Sequence, residues 1–415
     1  MQPRRSRNKF LILALFAVAS TGGACSHDGN VDLDPGTDAG GDGSESDARG
    51  IDALAEAGNV DATVETGDAG SADSGNIDAP MDVAVIDSGA GDTGAGDAGV
   101  DATVDAADAG PVVPSSCAVP GDGLTNCGAG ESCCTSPLVT GGIFSRSYDG
   151  NTFTNATFQA TVADFRLDKY QITVGRFRKF VDAVVGGYTP PAGSGKHKHL
   201  NAGAGLAASG GGFETGWDTA WNTSLPGTKA TWDSSAYLAC DPTFGSWTSA
   251  VGANERRPID CTNWQQAAAF CIWDGGFLPS EAEYNYAASG GSEQRVYPWS
   301  SPPSSVAVGD THAVYCGGAC LKTSNVGSKA PLGNGRYGQA DLAGNVFEWV
   351  LDFYKLPYNE TSCVNCAYVT PTTDRMARGG SFYHSAPYLL ASDRNGFAPP
   401  MERTSIRGAR CARAP

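Results

Sequence analysis

Residues 262–288 read TNWQQAAAFCIWDGGFLPSEAEYNYAA and predict two helices joined by a short turn. The first helix covers residues 264–273 and ends at Gly275-Gly276, because glycine tolerates the left-handed conformation of a helix stop. The second helix begins after Ser280, since Glu283 three residues later completes a capping box. These two helices are the clearest elements in the sequence, and the flanking segments are interpreted next.

Regular structure is sparser on either side of this stretch. Residues 163–172 are rich in β-formers and partly alternate, which predicts a strand. Thr173 then caps a further helix. The apolar face of that helix consists of Val174, Phe177, Val181 and Val184. Gly, Pro and Asn-Gly pairs interrupt the chain after residue 288, so we expect an irregular, loop-rich α+β domain.

Seven phrases in the second half of the chain match one family in their order. They are FRLDKYQITV (165–174), TNW with Ala267 to Trp273 (262–273), FLPSEAEYNYAA (277–288), YPW (297–299), DLAGNVFEW (341–349), RGGS (378–381) and GARCA (408–412). Together they resemble the sulfatase-modifying-factor domain of formylglycine-generating enzymes, over residues 139–415. The resemblance implies a disulfide-stapled fold that is similar to C-type lectins.

The resemblance also sets a test for catalysis. Formylglycine-generating enzymes oxidise a substrate cysteine with dioxygen, using copper(I) held by two thiolates, the soft ligands that copper(I) prefers. In the family these cysteines lie three and eight residues after the Ser of the Arg-Gly-Gly-Ser phrase. After Ser381 those offsets hold His384 and Leu389, and Phe347 and Phe277 replace a Trp and an Arg common in the family. We therefore assign no catalytic residue and expect no copper.

Histidines could support a different metal chemistry. His384 stands at a former ligand position, and His197 and His199 form a His-x-His pair that an iron or copper oxidase could use. The simpler expectation is that this pair lies in a solvated, Lys-rich loop beside Gly195. His384 is then expected to hydrogen-bond a neighbour in a cleft wall.

The resemblance implies a structural calcium site in the phrase at 341–349. The matching positions are the side chain of Asp341, the carbonyls of Gly344 and Val346, and the carboxylate of Glu348. Calcium takes six to eight oxygen ligands, which such a loop supplies in part. The alternative is that Asp341 caps a turn and Glu348 pairs with an Arg on the surface.

Twelve cysteines lie between residues 117 and 411, and an even number in an exported chain predicts a disulfide framework. Residues 114–138 hold four of them and are predicted to form a Cys-rich collar, whose pairing stays open. The family resemblance implies a bridge between Cys271 and Cys411, with a free buried Cys271 as the alternative.

Two close cysteine pairs allow a second interpretation. Cys316 with Cys320 and Cys363 with Cys366 could each supply two thiolates to a zinc ion. An oxidising compartment favours local disulfides instead.

The N-terminal quarter of the chain predicts export. A basic stretch precedes the apolar run 10–20, which is too short to span a bilayer but suits a signal peptide over residues 1–24. Ala24-Cys25 resembles a bacterial lipoprotein cleavage site, so we expect lipidation of Cys25, with simple secretion as the alternative. The location is then the outer membrane or cell surface, or otherwise the periplasm or the medium.

The net charge of −17 belongs to a single segment. Residues 26–113 hold 18 Asp, 3 Glu and one Arg, with no Phe, Trp or Tyr. Such a segment cannot bury a core, so residues 25–113 are predicted to be a disordered acidic linker. The remainder is nearly neutral, which excludes a nucleic-acid partner that needs a basic field.

These observations lead to three functional hypotheses. The leading one is a lipid-anchored binding module that takes an envelope-exposed peptide, protein or glycan. Exposed aromatics at Trp217, Trp221, Trp232 and Trp247 are predicted to line its cleft. The second is a metal-dependent oxidase, either a formylglycine generator with a displaced thiol pair or a variant that uses His384. The third is a purely structural envelope protein.

Overall fold

The computed structural model of the protein describes residues 113–128, 130–318, 322–358 and 362–415. The predicted signal peptide, Cys25, Cys320 and the acidic linker up to residue 112 lie outside the described residues. Within those four ranges, no helix is both long enough and apolar enough to cross a membrane.

The described residues form four α-helices and eleven short strands. The helices are α1 Val174–Val185, α2 Lys229–Trp232, α3 Trp264–Trp273 and α4 Glu281–Ala288. The strands are β1 Leu138–Val139, β2 Gly142–Ser145, β3 Gln159–Val162, β4 Phe165–Leu167, β5 Ala207–Ala208, β6 Phe347–Phe353, β7 Ser362–Val364, β8 Cys366–Ala367, β9 Arg375–Arg378, β10 Arg407–Gly408 and β11 Ala412–Arg413.

The structure confirms the three predicted helices and the caps predicted at Thr173 and Ser280, and it adds a cap at Asn263. The Thr173 side chain accepts the backbone N–H of Arg176 at the start of α1. Both α3 and α4 begin with a complete capping box, formed by Asn263 with Gln266 and by Ser280 with Glu283. Each cap satisfies backbone donors that a helix start leaves without partners.

The strand predicted over residues 163–172 is much shorter than expected. Regular pairing covers only β4, which lies between β1 and β11 in an antiparallel sheet. Beyond it the chain stays tied to the C-terminal segment by single hydrogen bonds, from the N–H of Asp168 to the carbonyl of Cys411 and from the N–H of Ile172 to that of Ala409. The β-forming residues therefore give extended backbone without a continuous ladder.

The sheets are small, and one of them carries the site. In the described residues the strand orders are β1-β4-β11, β10-β6-β9, β2-β3-β7 and β5-β8. Strand β6 pairs parallel with β10 and antiparallel with β9, with Glu348 opposite Arg378. The Arg-Gly-Gly-Ser phrase is thereby held beside the calcium-like phrase.

Aromatic side chains fill the core between α1, α2 and α3. Phe177 stacks on Phe270 with ring centroids 5.6 Å apart, and both rings and Phe180 are fully buried. Trp232 closes this cluster edge-on against Phe177 and is also fully buried. Burial of such large rings supplies much of the hydrophobic stabilisation of a domain with little regular structure.

Disulfides connect segments that the sheets leave separate. The structure confirms the bridge between Cys271 in α3 and Cys411, which lie 140 residues apart in the chain. The remaining bridges with both partners described are Cys117–Cys134, Cys127–Cys133, Cys240–Cys261 and Cys363–Cys366. Cys316 is also disulfide-bonded. The zinc interpretation is wrong for Cys363 and Cys366, because their thiolates are consumed by the bridge to each other.

The Cys-rich collar packs directly on the main domain. Arg176 of α1 donates to Ser116 Oγ and to the carbonyl of Cys133, both in the collar. The same guanidinium pairs with the buried carboxylates of Asp168 and Asp274. A buried cation between two carboxylates is stable only with its hydrogen bonds made, so the collar completes this network.

Candidate functional site

The family's catalytic position lies just after β9. Ser381 Oγ is 2.7 Å from His384 Nδ1 and also accepts the backbone N–H of Tyr383. The imidazole of His384 lies among the rings of Phe347 and Tyr388, at centroid distances of 4.9 and 4.7 Å. The structure thus brings Ser381 and His384 together, as expected for a histidine that hydrogen-bonds a neighbour.

His384 is a neutral imidazole at physiological pH. Burial lowers its pKa to about 4, and the positive charge of Arg407 acts in the same direction. Because the hydroxyl of Ser381 already receives the N–H of Tyr383, its own hydrogen can be donated to Nδ1. The ring is held by Ser381 and by aromatic packing.

The second family position cannot bind a metal. Leu389 is fully buried and packs in an apolar cluster with Val296 and Tyr297. Each of the eleven cysteines in the described ranges is disulfide-bonded, so none presents a thiolate near Ser381. These residues do not fit a copper(I) site with two thiolate ligands.

The calcium-like phrase forms a cage of oxygens around one atom. Gln171 Nε2 lies 3.0 Å from Glu348 Oε1 and from the carbonyl of Val346, and 3.3 and 3.4 Å from the carbonyls of Asp341 and Gly344. The carboxylate of Asp341 points elsewhere and accepts the N–H of Gly327 at 2.6 Å. Asp341 therefore contributes its carbonyl to the cage, where its side chain was expected.

Glu348 is paired with an arginine, but in the interior and not on the surface. Arg410 donates to both Glu348 oxygens, at 2.6 and 2.7 Å, and to the carbonyls of Ala340 and Asp341. Tyr284 Oη adds a contact to Glu348 Oε1 at 3.2 Å. The side chains of Glu348 and Arg410 are almost completely inaccessible to solvent.

The expectation of a solvated loop is wrong for His197. Its ring is fully buried, with Nδ1 3.0 Å from Glu214 Oε1 and Nε2 3.1 Å from Glu283 Oε2. Burial alone would lower the pKa of His197, but the carboxylates of Glu283 and Glu214 outweigh burial and raise it to about 10. His197 is therefore an imidazolium held between two carboxylates and cannot donate a lone pair to a metal.

His199 takes no part in that ion pair. Both of its ring nitrogens are buried without a hydrogen-bond partner in the described residues, and its ring stacks on Phe277. Phe277 also contacts the ring of His197, with centroids 3.8 Å apart. In the described part of the chain, no group of three or more His, Cys, Asp or Glu side chains is arranged to hold a metal ion.

A cavity of about 460 Å³ lies elsewhere in the domain, lined by tryptophans. Trp221 stands edge-on between Trp217 and Trp264, with centroids 5.3 and 5.2 Å from its own. Trp217 and Trp221 line the cavity as predicted, although Trp217 is buried where an exposed side chain was expected. The prediction is wrong for Trp232, which is in the core, and for Trp247, which packs under Arg178.

Two polar side chains of the cavity were missed by sequence reasoning. Arg375 and Gln265 both line it and are more than nine-tenths buried. Arg375 Nε and Gln265 Oε1 have no hydrogen-bond partner within the described ranges. Arg375 lies three residues before the Arg-Gly-Gly-Ser phrase, and a charged residue opening a buried strand was the available signal.

The sequence places this fold in a known family. Residues 129–415 match the model of the sulfatase-modifying factor enzyme 1-like domain. The match covers most of the chain, so the chain belongs to this family, and its disulfide-stapled α+β fold is C-type-lectin-like.

Individual relatives differ in activity. The formylglycine-generating enzyme of Mus musculus is 29% identical over 175 residues, covering 40% of this chain and 46% of that protein. The inactive C-alpha-formylglycine-generating enzyme 2 of Mus musculus is 30% identical over 169 residues, covering 37% and 48%. The hercynine oxygenase of Mycolicibacterium smegmatis is 26% identical over 296 residues, covering 67% and 61%. The chain thus spans about half the length of the two mouse relatives.

Among solved structures, PvdO from Pseudomonas aeruginosa is similar to this chain. It is 20% identical, with a TM-score of 0.45, and the match covers 69% of this chain and all of PvdO.

The charged state of His197 predicts a specific pH dependence of stability. Its pKa is about 6.5 in an unfolded chain and about 10 in the fold, so its contribution is complete below pH 6.5 and is lost as the pH rises towards 10. Between pH 7.5 and 9.5, the free energy of unfolding should fall more steeply in the wild type than in His197→Gln. The expected difference is up to about 1.4 kcal/mol per pH unit.

Urea denaturation across this pH range measures both slopes, and His312→Gln controls for loss of a histidine elsewhere. Equal slopes for the wild type and His197→Gln would show that His197 is not charged in the fold.

Proposed function

We propose that this domain binds a ligand in its tryptophan-lined cavity and does not oxidise cysteine. The observation that carries the proposal is the use of cysteine: each described cysteine is bridged, and the family ligand positions hold His384 and buried Leu389. A cavity of this size with aromatic walls and a few buried polar groups is the usual form of a small-molecule site. The family relationship supports the fold but not a particular activity, because activity depends on the residues at the site.

The oxidase alternative is less well supported by the side chains. The names of two relatives, a formylglycine-generating enzyme and a hercynine oxygenase, indicate that the family includes enzymes of this kind. In this chain His197 is committed to two carboxylates, and among the described residues His384 belongs to no group of three or more His, Cys, Asp or Glu side chains that could hold a metal ion. A similarity to the inactive mouse relative is consistent with a domain that keeps the fold without the reaction.

Export and lipid anchoring are part of the same proposal. The bridges among the described cysteines are typical of proteins that mature in an oxidising compartment. The basic and apolar start of the chain and Cys25 support a lipid anchor at the cell envelope. The acidic linker would then hold the domain away from the membrane.

We also propose that the oxygen cage binds calcium as a structural ion. Four oxygens surround Gln171 Nε2, but an amide nitrogen has only two hydrogens to donate. The other amide atom, Gln171 Oε1, is buried without a hydrogen-bond partner in the described residues. If the amide of Gln171 were turned, its oxygen would join the other four as a fifth. Five oxygens so close together are stable only around a cation. Arg410 neutralises the Glu348 carboxylate, but it leaves carbonyl oxygens of the cage for the ion.

Calcium should therefore raise the melting temperature of the full chain. At a calcium concentration of 100 times Kd, binding to the native state alone adds about 2.7 kcal/mol. The comparison is between calcium and a chelator, with magnesium as the control ion. Melting temperature is the readout because the many carboxylates of residues 26–113 can also bind calcium weakly, and a simple binding measurement would include that binding. The shift should disappear in Glu348→Gln, and identical melting with calcium and with the chelator would contradict the proposal.

The absence of cysteine oxidation has a direct test. The full chain is incubated with copper(I), dioxygen and a peptide that contains Cys-x-Pro-x-Arg, and peptide mass is followed. We expect no conversion of the cysteine to an aldehyde, because the family's thiolate positions hold an imidazole and a hydrocarbon. An active formylglycine-generating enzyme converts the same peptide in a parallel reaction. Aldehyde formation by this chain would overturn the proposal.

A further inference from the structure

Arg375 is a buried cation in the cavity wall. It is 5% exposed and opens strand β9, whose backbone is fixed by hydrogen bonds in both directions with Ala398. Its guanidinium lies between the rings of Trp264 and Phe353, with the central carbon 3.7 and 3.4 Å from the two ring centroids. All three side chains line the cavity. Both faces of the guanidinium are therefore covered, and only its edges can donate hydrogen bonds.

One of those edges has no partner. Nη1 donates to the carbonyl of Leu351 at 2.5 Å. Nε is buried without a hydrogen bond, and Nη2 makes none within the described residues. Nε and Nη2 form the parallel fork with which arginine binds a carboxylate in a bidentate manner. The fork is held in a fixed orientation by the two rings.

The guanidinium of Arg375 also has no direct contact with a carboxylate in the described chain. No carboxylate in the described ranges lies within 4.0 Å of its nitrogens. Asp352 is the carboxylate that acts on it, but its two oxygens accept the N–H groups of Glu281 and Tyr368. Burial lowers the pKa of Arg375 to about 9, which leaves it cationic at neutral pH. A buried charge of this kind is costly without a counter-ion.

The remaining wall suits a planar apolar group. Trp217 and Trp264 turn their indole nitrogens away, to Asn222 and to the carbonyl of Val350, so carbon surfaces face the cavity. Two acidic residues also line it, but Glu214 is paired with His197, and Asp218 caps the N–H of Ala220 on the exposed side. Arg375 is thus the buried, unpaired charge of the cavity wall in the described chain.

We propose that the cavity binds a small organic anion, a carboxylate carried on a planar apolar body, with the Nε/Nη2 edge of Arg375 holding the carboxylate. The inference rests on the proposed binding function and specifies its ligand class. The apolar body lies against Trp221 and its neighbours, and the buried Gln265 Oε1 accepts a hydrogen bond from a polar substituent.

The test compares ligands that share a phenyl group and a three-carbon chain but differ in charge, together with one carboxylate that lacks the ring. Isothermal titration calorimetry on the full chain measures 3-phenylpropanoate, 3-phenylpropanamide, 3-phenylpropylammonium and propanoate. The carboxylate should bind at least about tenfold more tightly than the amide, as expected for charge-assisted hydrogen bonds to a desolvated arginine. Propanoate should bind more weakly than 3-phenylpropanoate, because it lacks the planar body. The peptide Ala-Ala-Phe as acid and as amide distinguishes a peptide C terminus from a free acid.

Variants locate the interaction. Arg375→Gln should remove the preference for the carboxylate. Arg403→Gln is the matched control. Arg403, like Arg375, stacks on an aromatic ring, in this case Tyr237, and donates to one carbonyl, but it does not line the cavity. Trp221→Ala should weaken carboxylate and amide by the same factor. If Arg375→Gln does not fold, the ligand comparison on the wild type and on Trp221→Ala still decides the question.

The possible outcomes distinguish failure of the anion assignment from failure of the proposed function. Equal affinity for carboxylate and amide, or tighter binding of the ammonium compound, overturns the anion assignment and leaves a binding domain. No binding of any compound also overturns the anion assignment. Failure of the proposed function appears separately, as aldehyde formation in the peptide assay.

Discussion

The buried pair of Arg410 and Glu348 holds together three segments of the domain that are far apart in the sequence. Arg410 donates to both oxygens of Glu348 and to backbone carbonyls at residues 168, 169, 340 and 341. These contacts join the end of β4, the calcium-like phrase and the C-terminal segment in a fold with few regular ladders. The next residue, Cys411, is bridged to α3. Removal of either charge would leave the other buried and unpaired, which is strongly destabilising.

This way of building a domain has a chemical consequence. Disulfides and buried ion pairs connect segments that few regular ladders join, so the cysteines of the described chain serve as cross-links. The positions at which the family resemblance implies copper ligands hold the neutral imidazole of His384 and the buried Leu389. Phe277, which replaces a family arginine, packs against the buried His197. The aromatic cavity has a different set of lining residues, which includes the buried Arg375.

The features that could be predicted from the sequence were local or carried by family phrases. The capping box of α4 follows from Ser280 and Glu283, which are three residues apart, and the Cys271–Cys411 bridge follows from two matching phrases. The surroundings of His197 could not be predicted, because Glu214 and Glu283 lie 17 and 86 residues away along a loop-rich chain. Likewise, nothing in the sequence around Trp232 and Trp247 distinguishes them from Trp221. Only the three-dimensional packing shows that Trp232 and Trp247 lie in the core and that Trp221 lines the cavity.

The central claim is that the cysteines of this domain are structural and leave no thiolate for oxidase chemistry. Alkylation with iodoacetamide of the full chain, denatured without reductant and mapped by peptide mass, tests it directly. A sample reduced beforehand shows that each cysteine can be labelled. The structure predicts that none of the eleven described cysteines is labelled without reduction. Stoichiometric labelling of any two of them would reveal a free thiol pair and contradict the account.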